Sequence, residues 1–368
     1  MFNDEPILSP TESTENQKRK TKLIALINSG DSILMAGAGC SGGVYPPWPE
    51  FVDLLDKYVK RHNPDFNEDT SNFLSFADKA KESLGDDRYY NFIYQQFRPK
   101  EEQLFSDIHS ILCQLPFKAL TTTNYDVMLE SALITITRNP DNSLCFEGEN
   151  KVKIYEFLAS LNPNVNTTRR VIHLHGKYDV NNSIILGGKE YSSKYGFTIN
   201  TPVDSLYDQI QEGHISKEKF QELLVSYGYE WPIRRKLLWT LLAARRIVFF
   251  GFSMNDPYFI KMLDFVKEDL STYEAETHYV VLRITQNNKQ RAFDFARRLK
   301  NDYGIETVFF EDDEKFDGLE KFVQELGNEI LGAQEPITGV AVVKAEQVSP
   351  DGDEELTNEL FELTKKLD

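Results

Sequence analysis

Three short segments, far apart in the chain, carry residue types that could hold a nucleotide and break a bond beside it. They read GAGCSGG (37–43), TTTNYD (121–126) and IHLHG (172–176). Glycine-rich backbone can cradle a phosphate, a histidine can accept a proton near neutral pH, and an amide beside a carboxylate can orient a substrate. Each segment follows or ends a short apolar or β-branched run, so we expect all three at the ends of strands.

The glycine segment matches the G-x-G-x-x-G pattern of dinucleotide-binding loops at Gly37, Gly39 and Gly42, and it follows the apolar run SILMA. A dehydrogenase would continue with a full helix and a second strand ending in an acidic residue. Here prolines at 46, 47 and 49 interrupt any helix that starts at the glycines. An NAD-dependent dehydrogenase is therefore disfavoured, and the segment predicts a phosphate cradle of another kind, with a plain tight turn as the alternative.

The other two segments place the candidate catalytic groups. TTTNYD ends a predicted strand and begins a predicted helix, where Asn124 or Asp126 could simply cap the helix. Capping needs one such residue, and here two flank a tyrosine. His173 and His175 are two residues apart on a predicted strand, so both could face the same side. A buried structural histidine is the usual case, but Gly176 lets the chain turn and leaves His175 near the sheet edge as a candidate general base.

A fourth segment, IVFFGFSMND (247–256), repeats this design. A buried strand is predicted to end near Gly251, and Asp256 followed by Pro257 is typical of a helix start. Helix capping accounts for Asp256. Gly251 and Ser253 are not explained in this way, and they suit contact with a ribose or a phosphate.

The apolar runs are short, bounded mostly by turn residues or charges, and separated by longer helical patterns. This alternation predicts an α/β fold, a Rossmann-like and mostly parallel sheet with helices on both faces. Ligands bind beyond the carboxyl ends of the strands in such a sheet. The predicted strands are 33–36, 119–122, 171–174, 184–186, 247–252, 279–284 and 307–310. The predicted helices include 51–61, 102–113, 234–245, 258–270 and 290–301.

The chain is predicted to divide into three parts. Residues 1–14 look disordered by composition. Residues 15–331 form one nucleotide-binding domain, in which the stretches 64–98 and 191–229 are helical insertions that form a smaller subdomain over the site. The tail, 332–368, carries a short amphipathic helix and is either a surface appendage or an assembly element.

Composition limits the partners. Of 368 residues, 58 are acidic and 41 basic, so direct binding of nucleic acid or an anionic membrane is not expected. The 3 cysteines include no CxxC pair, which argues against a disulfide framework or a Cys-rich zinc site and fits a reducing cytosol. No signal peptide is expected, and no apolar stretch approaches the ~20 residues that span a bilayer.

Together, GAGCS, TTNYD, HLHG and GFSMND resemble the NAD-binding and catalytic signatures of the sirtuin family, and they occur in the family's order. The resemblance covers roughly residues 33–284. It implies that Asn124 and His175 are catalytic and that Asp126 lies at the nicotinamide end of NAD. The residues it implies for contact with the rest of NAD are Gly37, Ala38, Gly39, Ser41, Gly251 and Ser253.

Departures from the family narrow the expected function. Sirtuin deacylases carry a four-cysteine zinc module after the catalytic histidine, and no cysteine follows His175 here. The stretch LGGKEYSSKY (186–195) instead resembles sirtuin-like proteins of bacterial anti-phage defence, which hydrolyse NAD, several as large oligomers or beside a partner ATPase or Argonaute-type protein. The resemblance therefore implies a cytoplasmic NAD hydrolase that needs no metal. It also implies that the enzyme works as a homo-oligomer or together with a partner protein. Two alternatives stay open, namely a protein deacylase or ADP-ribosyltransferase and a non-catalytic nucleotide sensor.

Overall fold

The computed structural model describes residues 6–100, 103–139, 143–145, 154, 157–159, 161, 169–196, 216, 232–270, 278–312 and 317–332. Its centre is a seven-stranded sheet in which all neighbouring strands are parallel. The strands are β1 (Ser32–Ala36), β2 (Ala119–Thr122), β3 (Ser143–Cys145), β4 (Val171–His173), β5 (Arg246–Phe250), β6 (His278–Ile284) and β7 (Ile305–Glu311). Their order across the sheet is β3-β4-β2-β1-β5-β6-β7, which confirms the predicted α/β fold.

Apolar side chains leave the sheet on both faces. In β1, Leu34 and Ala36 pack into one core, whereas Ile33 and Met35 pack into the other, as the two-residue repeat of a strand requires. All of β1 is buried, as a parallel strand covered on both sides should be.

Helices cover each of these two cores. The first is covered by α1 (Pro10–Asn28), α2 (Trp48–His62), α3 (Phe73–Leu84), α4 (Asp86–Phe97), α5 (Asp107–Gln114), α6 (Met128–Thr137) and α11 (Gly318–Leu331). The second is covered by α7 (Gly188–Tyr195), α8 (Ile233–Ala244), α9 (Pro257–Leu270) and α10 (Lys289–Tyr303). Among the helices in the described ranges, none is long and apolar enough to cross a membrane.

One row of strand residues lines the edge of the sheet from which the four segments emerge. Ala36 of β1 pairs with Thr122 of β2 and with Phe250 of β5, and Thr122 pairs with His173 of β4. The four segments therefore leave side by side from the carboxyl ends of adjacent strands. After β4 the chain crosses to the far side of β1, so β1 marks the switch point at which open α/β sheets bind ligands.

The N-terminal region departs from the expected disorder, because α1 begins at Pro10 and residues 10–14 are helical. Ser9 and Glu12 form a reciprocal capping box, in which each side chain accepts a hydrogen bond from the other's backbone amide. Leu23, on the same helix, is fully buried. Capping and packing thus outweigh the polar composition of this region.

α1 also covers the outer edge of β7. Asn16 donates from Nδ2 to the Phe309 carbonyl oxygen (2.8 Å) and accepts at Oδ1 from the Phe309 amide (2.8 Å). One side-chain amide thus satisfies the two backbone groups that Phe309 would otherwise offer to a further strand.

Residues 184–186 are buried, but they pair with no strand in the described part of the chain, contrary to prediction. Instead, Tyr125 donates from its hydroxyl to the Ile185 carbonyl oxygen (2.6 Å), and the Ile185 amide donates to the carbonyl oxygen of His175 (2.9 Å). A buried apolar segment that is held by isolated hydrogen bonds has the same sequence pattern as a buried strand, so the sequence could not distinguish the two.

The other predicted strands are present, with ends that differ by about two residues at most. β3 was not predicted, because a strand of three residues is too short to show an alternating or continuous apolar pattern. The helix predicted over 102–113 begins only at Asp107.

The predicted insertions are described in part. The stretch 64–98 holds α3 and α4, in agreement with its helical pattern. α7 is anchored on α3, because Asp78 accepts from the Lys189 amide and Lys81 pairs with Glu190 at 2.8 Å. Residues 333–368 and nearly all of 197–231 lie outside the described residues, so a single subdomain and an assembly role for the tail stay predictions.

Candidate active site

The loops after β1 and β5 touch through their backbones. Gly37 donates from its amide to the Phe250 carbonyl oxygen, and Gly39 donates to that of Gly251, both at 2.9 Å. Gly251 has a φ of +60°. A Cβ added at Gly39 would lie 2.8 Å from Gly251 Cα, and one added at Gly251 would lie 2.4 Å from the Cys40 amide nitrogen. These positions need glycine because the two loops meet with no room for a side chain.

This contact corrects part of the predicted phosphate cradle. The amides of Gly37, Gly39 and Cys40 all donate to carbonyl oxygens of the protein, so they are not available to a pyrophosphate. Around Gly42, the third glycine of the motif, the nearest heavy atom to an added Cβ is an ordinary 3.5 Å away. Gly37 and Gly39 therefore join the β1 loop to the β5 loop. In the β1 loop, Ala38 and Gly39 are exposed to solvent.

The Asn124 side chain is fixed against the first loop. Its Nδ2 donates to the Gly37 carbonyl oxygen (3.2 Å) and to Ser41 Oγ (3.1 Å). Its backbone amide donates to Thr122 Oγ1 (3.0 Å). Because both amide protons are used, the group that Asn124 can offer a substrate is its carbonyl oxygen Oδ1, which accepts.

Ser41 is buried and connects three segments. Its hydroxyl donates to Asp126 Oδ2 (2.9 Å), accepts from Asn124, and lies 3.3 Å from His109 Nε2. Asp126 Oδ1 accepts from the Met128 amide (3.1 Å) ahead of α6. Burial raises the pKa of Asp126, although the hydrogen bonds from Met128 and Ser41 oppose the rise. The structure thus brings Ser41, Asn124 and Asp126 together, as the sequence predicts.

His109 of α5 joins this group, and sequence reasoning missed it. Since the single proton of Ser41 goes to Asp126, His109 donates to Ser41 from Nε2, and its Nδ1 accepts from Ser106 Oγ (2.8 Å). Burial lowers the pKa of His109 to about 3, so the ring is neutral. A lone histidine on an apolar helix gives no sequence signal, because only folding brings α5 to the β1 loop.

His173 and His175 do not face the same side of the sheet, contrary to prediction. β4 ends at His173, whose Nε2 lies 2.6 Å from Glu130 Oε1 of α6 and whose Nδ1 donates to the Asn124 carbonyl oxygen (3.0 Å). With both nitrogens bonded inside the protein, His173 is a structural histidine. The chain turns after it, so the strand repeat no longer applies to His175.

His175 lies past the strand, in a turn that Gly176 makes possible. Gly176 has a φ of +90°, and an added Cβ would lie 2.3 Å from the Ser183 carbonyl oxygen. The imidazole packs edge-on against the rings of Tyr191 and Tyr195 on α7, and only 8% of the residue is exposed. This placement at the sheet edge agrees with the predicted turn.

Burial lowers the pKa of His175 to about 4, with Asp256 opposing the fall and Arg234 adding to it. The imidazole is therefore neutral at physiological pH and can accept a proton. Arg234 is itself buried and donates to the carbonyl oxygens of Leu174 (3.0 Å) and Ser183 (2.6 Å), on either side of the His175 turn.

Asp256 caps α9 as predicted, since its Oδ1 accepts from the amides of Tyr258 (2.8 Å) and Phe259 (3.1 Å). Its other oxygen, Oδ2, accepts from the Tyr191 hydroxyl (2.9 Å) and lies 3.4 Å from His175 Nε2. The contact with His175 was not predicted, because helix capping by itself accounts for an aspartate before proline.

The loop after β5 carries a strained residue near the site. Met254 is buried with a φ of +54°, in the left-handed region that residues other than glycine rarely adopt. On either side of it, Ser253 and Asn255 are exposed. Ser253 is therefore open to a ligand beside the Gly251 backbone.

Asn124 and His175 leave from adjacent strands, and in the described residues no hydrogen bond joins them directly. His173 bonds to the Asn124 carbonyl oxygen, and Tyr125 holds Ile185, whose amide donates to the carbonyl oxygen of His175. The two candidate catalytic residues thus share a scaffold while their side chains belong to separate groups.

These groups favour orientation of a substrate and proton transfer over attack by a protein nucleophile. The Cys40 thiol is buried, which raises its pKa to about 12, so it does not supply a thiolate. Within the described ranges, no group of three or more His, Cys, Asp or Glu is placed to hold a metal ion.

A family model for the SIR2-like domain matches residues 118–308, just over half of the chain. The glycine loop at 37–43 precedes the match. The predicted site residues inside it are Asn124, Asp126, His175, Gly251 and Ser253.

Two curated relatives both carry the name NAD(+) hydrolase ThsA. The protein from Enterococcus faecium is 24% identical over 282 residues, which cover 76% of this chain and 49% of the relative. The protein from Cytobacillus dafuensis is 24% identical over 220 residues, which cover 60% of this chain and 40% of the relative. The chain thus spans about half of the length of these relatives, or less.

A solved structure from work on the mechanism and regulation of Sir2 enzymes covers 85% of this chain and 98% of that chain. The sequence identity is 11% and the TM-score is 0.35.

Proposed function

The chain belongs to the family of proteins with a SIR2-like domain, as its motifs predict, and from this premise we propose that it hydrolyses NAD between nicotinamide and ribose. The products are nicotinamide and ADP-ribose. The two relatives named NAD(+) hydrolase support this reaction.

The observation that carries the proposal is the placement of Asn124 and His175 at one edge of the sheet. They follow the ends of β2 and β4, whose last residues, Thr122 and His173, pair directly. Asn124 presents a fixed acceptor oxygen, and His175 presents a neutral imidazole. Both groups follow the carboxyl ends of parallel strands, the side of such a sheet on which ligands bind.

Cleavage of such a bond passes through a state that resembles an oxocarbenium ion. The protein must then orient the nucleotide and direct a water molecule, with little covalent chemistry of its own. We assign to Asn124 Oδ1 the role of accepting from a ribose hydroxyl or from the water. As the water oxygen bonds to ribose C1′, His175 takes the proton that the water loses. If His175 has first taken the proton of a ribose hydroxyl, the alkoxide left behind takes the proton of the water. The electron pair of the broken bond stays with nicotinamide.

Other residues would hold the two ends of NAD. Asp126, beside Ser41 and Asn124, would meet the carboxamide of nicotinamide. The exposed backbone at Ala38 and Gly39 and the exposed Ser253 side chain would contact the ribose and phosphates of the rest of the molecule. The hydrogen bonds from the Gly37 and Gly39 amides to the β5 loop support this assignment of residues to the two ends of NAD, because they fix the β1 loop against the β5 loop.

We also propose that this reaction takes place in anti-phage defence. The resemblance of 186–195 to sirtuin-like defence proteins supports depletion of NAD in the cytoplasm once phage infection triggers the enzyme. The active form would be a homo-oligomer, or a complex with a partner ATPase or another defence protein.

The test is release of nicotinamide from NAD, followed across protein concentration with the mass of the assemblies measured in the same samples. Wild-type protein should release nicotinamide and ADP-ribose with no protein acceptor present. Asn124→Ala and His175→Ala should each abolish release while thermal unfolding shows that both stay folded. Matched controls are Asn181→Ala and His62→Ala, since both residues are exposed and lie on other elements.

Wild-type rates in both folded variants would overturn the assignment of the site. Release that depends on a protein acceptor would instead identify a deacylase or ADP-ribosyltransferase. Binding of NAD or ADP-ribose without turnover in any assembly would identify a nucleotide sensor.

A further inference from the structure

We propose that Asp256 is a positioning residue that fixes the tautomer of His175, so that Nδ1 is the atom that accepts the proton. This inference rests on the proposed function, in which His175 is the base. It gives the GFSMND segment a role in the proton transfer beyond the helix cap.

The two oxygens of Asp256 face different groups. Oδ1 is held by the first amides of α9, from Tyr258 and Phe259, so the carboxylate cannot rotate freely. Oδ2 points to Tyr191, whose hydroxyl donates to it at 2.9 Å, and to His175 Nε2 at 3.4 Å. A helix cap needs only the first oxygen, so the placement of the second requires a separate explanation.

The contact between His175 Nε2 and Asp256 Oδ2, at 3.4 Å, is electrostatic, and its direction follows from the charge of the carboxylate. An ionised carboxylate only accepts hydrogen bonds, so the proton of a neutral imidazole is held on Nε2, which faces Asp256. The lone pair then lies on Nδ1, on the opposite side of the ring. A base held in this way has one fixed atom with which to receive a proton.

The charges around His175 support the same role. The groups that face it are Asp256 of the β5 loop, Arg234 of α8, and the tyrosines Tyr191 and Tyr195 of α7. Arg234 and burial both disfavour the imidazolium, whereas Asp256 favours it. Asp256 is therefore the group that stabilises the charge formed when His175 accepts a proton.

The substitution Asp256→Asn tests this role. Asparagine caps a helix about as well as aspartate, so the start of α9 is kept. The amide nitrogen that replaces Oδ2 donates, and His175 Nε2 must then accept, which moves the ring proton to Nδ1. We expect kcat for NAD hydrolysis to fall by about 10²-fold or more, with KM changed by less than about threefold.

Asp264→Asn is the matched control. Asp264 also lies on α9 and also accepts from a tyrosine hydroxyl, that of Tyr303 at 2.9 Å. It is not one of the groups that face His175, so kcat should stay at the wild-type value.

A second readout does not need turnover. In ¹⁵N-labelled protein, long-range ¹H–¹⁵N spectra report the tautomer of each histidine, and His175→Gln identifies the His175 signals. We expect the Nε2–H form in the wild type and the Nδ1–H form in Asp256→Asn. The wild-type measurement stands even if the variant does not fold.

Either an Nδ1–H form in the wild type or a wild-type kcat in folded Asp256→Asn would overturn the inference. The proposed function fails in a different way, with Asn124→Ala and His175→Ala both active or with no NAD cleavage at all. The tautomer spectra still decide the role of Asp256 in that case.

Discussion

His173 Nε2 lies 2.6 Å from Glu130 Oε1, and both side chains are buried. Burial alone would favour the neutral form of each group. The mutual charge and hydrogen bond outweigh burial, so the pKa of His173 is raised and that of Glu130 is lowered. His175, two residues away, has its pKa lowered to about 4. One segment therefore holds a structural histidine whose charged form is favoured by its partner and a candidate base whose neutral form is favoured by burial.

Removing one member of the His173–Glu130 pair should destabilise the fold more than removing both. Glu130→Gln leaves the buried His173 without its charged partner and should cost about 3 kcal/mol or more in the free energy of unfolding. Adding His173→Gln to that variant should recover part of the loss. Urea unfolding of the four members of the double-mutant cycle measures this coupling, and additive losses would contradict it.

The coupling in that cycle should depend on pH. The raised pKa of His173 adds stability that is full below 6.5 and is lost as pH rises through the raised value. The lowered pKa of Glu130 adds stability that is full above 4.5 and is lost as pH falls through the lowered value. The coupling should therefore be largest between about pH 4.5 and 6.5, where both contributions are present.

The glycines of the first loop should differ in their tolerance of a methyl group. Gly39→Ala places a Cβ 2.8 Å from Gly251 Cα, which should cost about 1–3 kcal/mol and separate the two loops, so that NAD binding weakens. Gly42→Ala meets nothing closer than 3.5 Å and should change stability by less than about 0.5 kcal/mol. Thermal unfolding and NAD titration compare the two variants, and equal losses in both would show that the loop contact is not what requires glycine.

Tyr191→Phe should make His175 easier to protonate. The Tyr191 hydroxyl donates to the same Asp256 oxygen that faces His175, and its removal leaves more of that oxygen's charge to the imidazole. The pKa of His175 should therefore rise from about 4, and the acid limb of kcat/KM should move to higher pH, because only the neutral ring accepts a proton. Tyr303→Phe removes the equivalent bond to Asp264 and is the control. An unmoved limb in Tyr191→Phe would contradict the shared-oxygen geometry.

His278 should contribute to acid sensitivity. It is buried, its Nδ1 accepts from the Ile247 amide (3.1 Å), and burial lowers its pKa to about 3. Between pH 6.5 and 3 the unfolded chain binds a proton that the folded chain does not, so stability falls by about 1.4 kcal/mol per pH unit as pH falls. His278→Asn keeps an acceptor and does not titrate. Its loss of unfolding free energy from pH 7 to pH 5 should be smaller than the wild-type loss by about 2 kcal/mol, and equal losses would contradict this account.

The sequence predicted what depends on local pattern. Apolar runs bounded by turns placed the main strands, and the four segments were correctly placed at strand ends because side chains after parallel strands share one edge. Ser41, Asn124 and Asp126 meet as expected. The paired registers of Ala36, Thr122 and His173 explain why motifs about 50 to 90 residues apart come together.

Contacts made across the fold were not predictable in the same way. His109 contacts Ser41 from helix α5, and Glu130 contacts His173 from helix α6. The sequence around His109 and Glu130 does not indicate either contact. Capping of a helix was a sufficient explanation for Asp256, so the contacts of its second carboxylate oxygen were not predicted. The amides of Gly37 and Gly39 were assigned to a phosphate, because the pattern of glycines does not reveal that another backbone fills the space.

The amide of Asn16 also limits how copies of this chain can assemble. An open parallel sheet could in principle act as a template, with β7 of one copy adding to the free edge of the next and so extending without limit. Because Asn16 bonds to both backbone groups of Phe309, that template is blocked at the β7 edge. Strand addition at Phe309 is therefore blocked while α1 is in place, so a copy that approaches this part of the β7 edge meets helix α1 instead of free backbone groups.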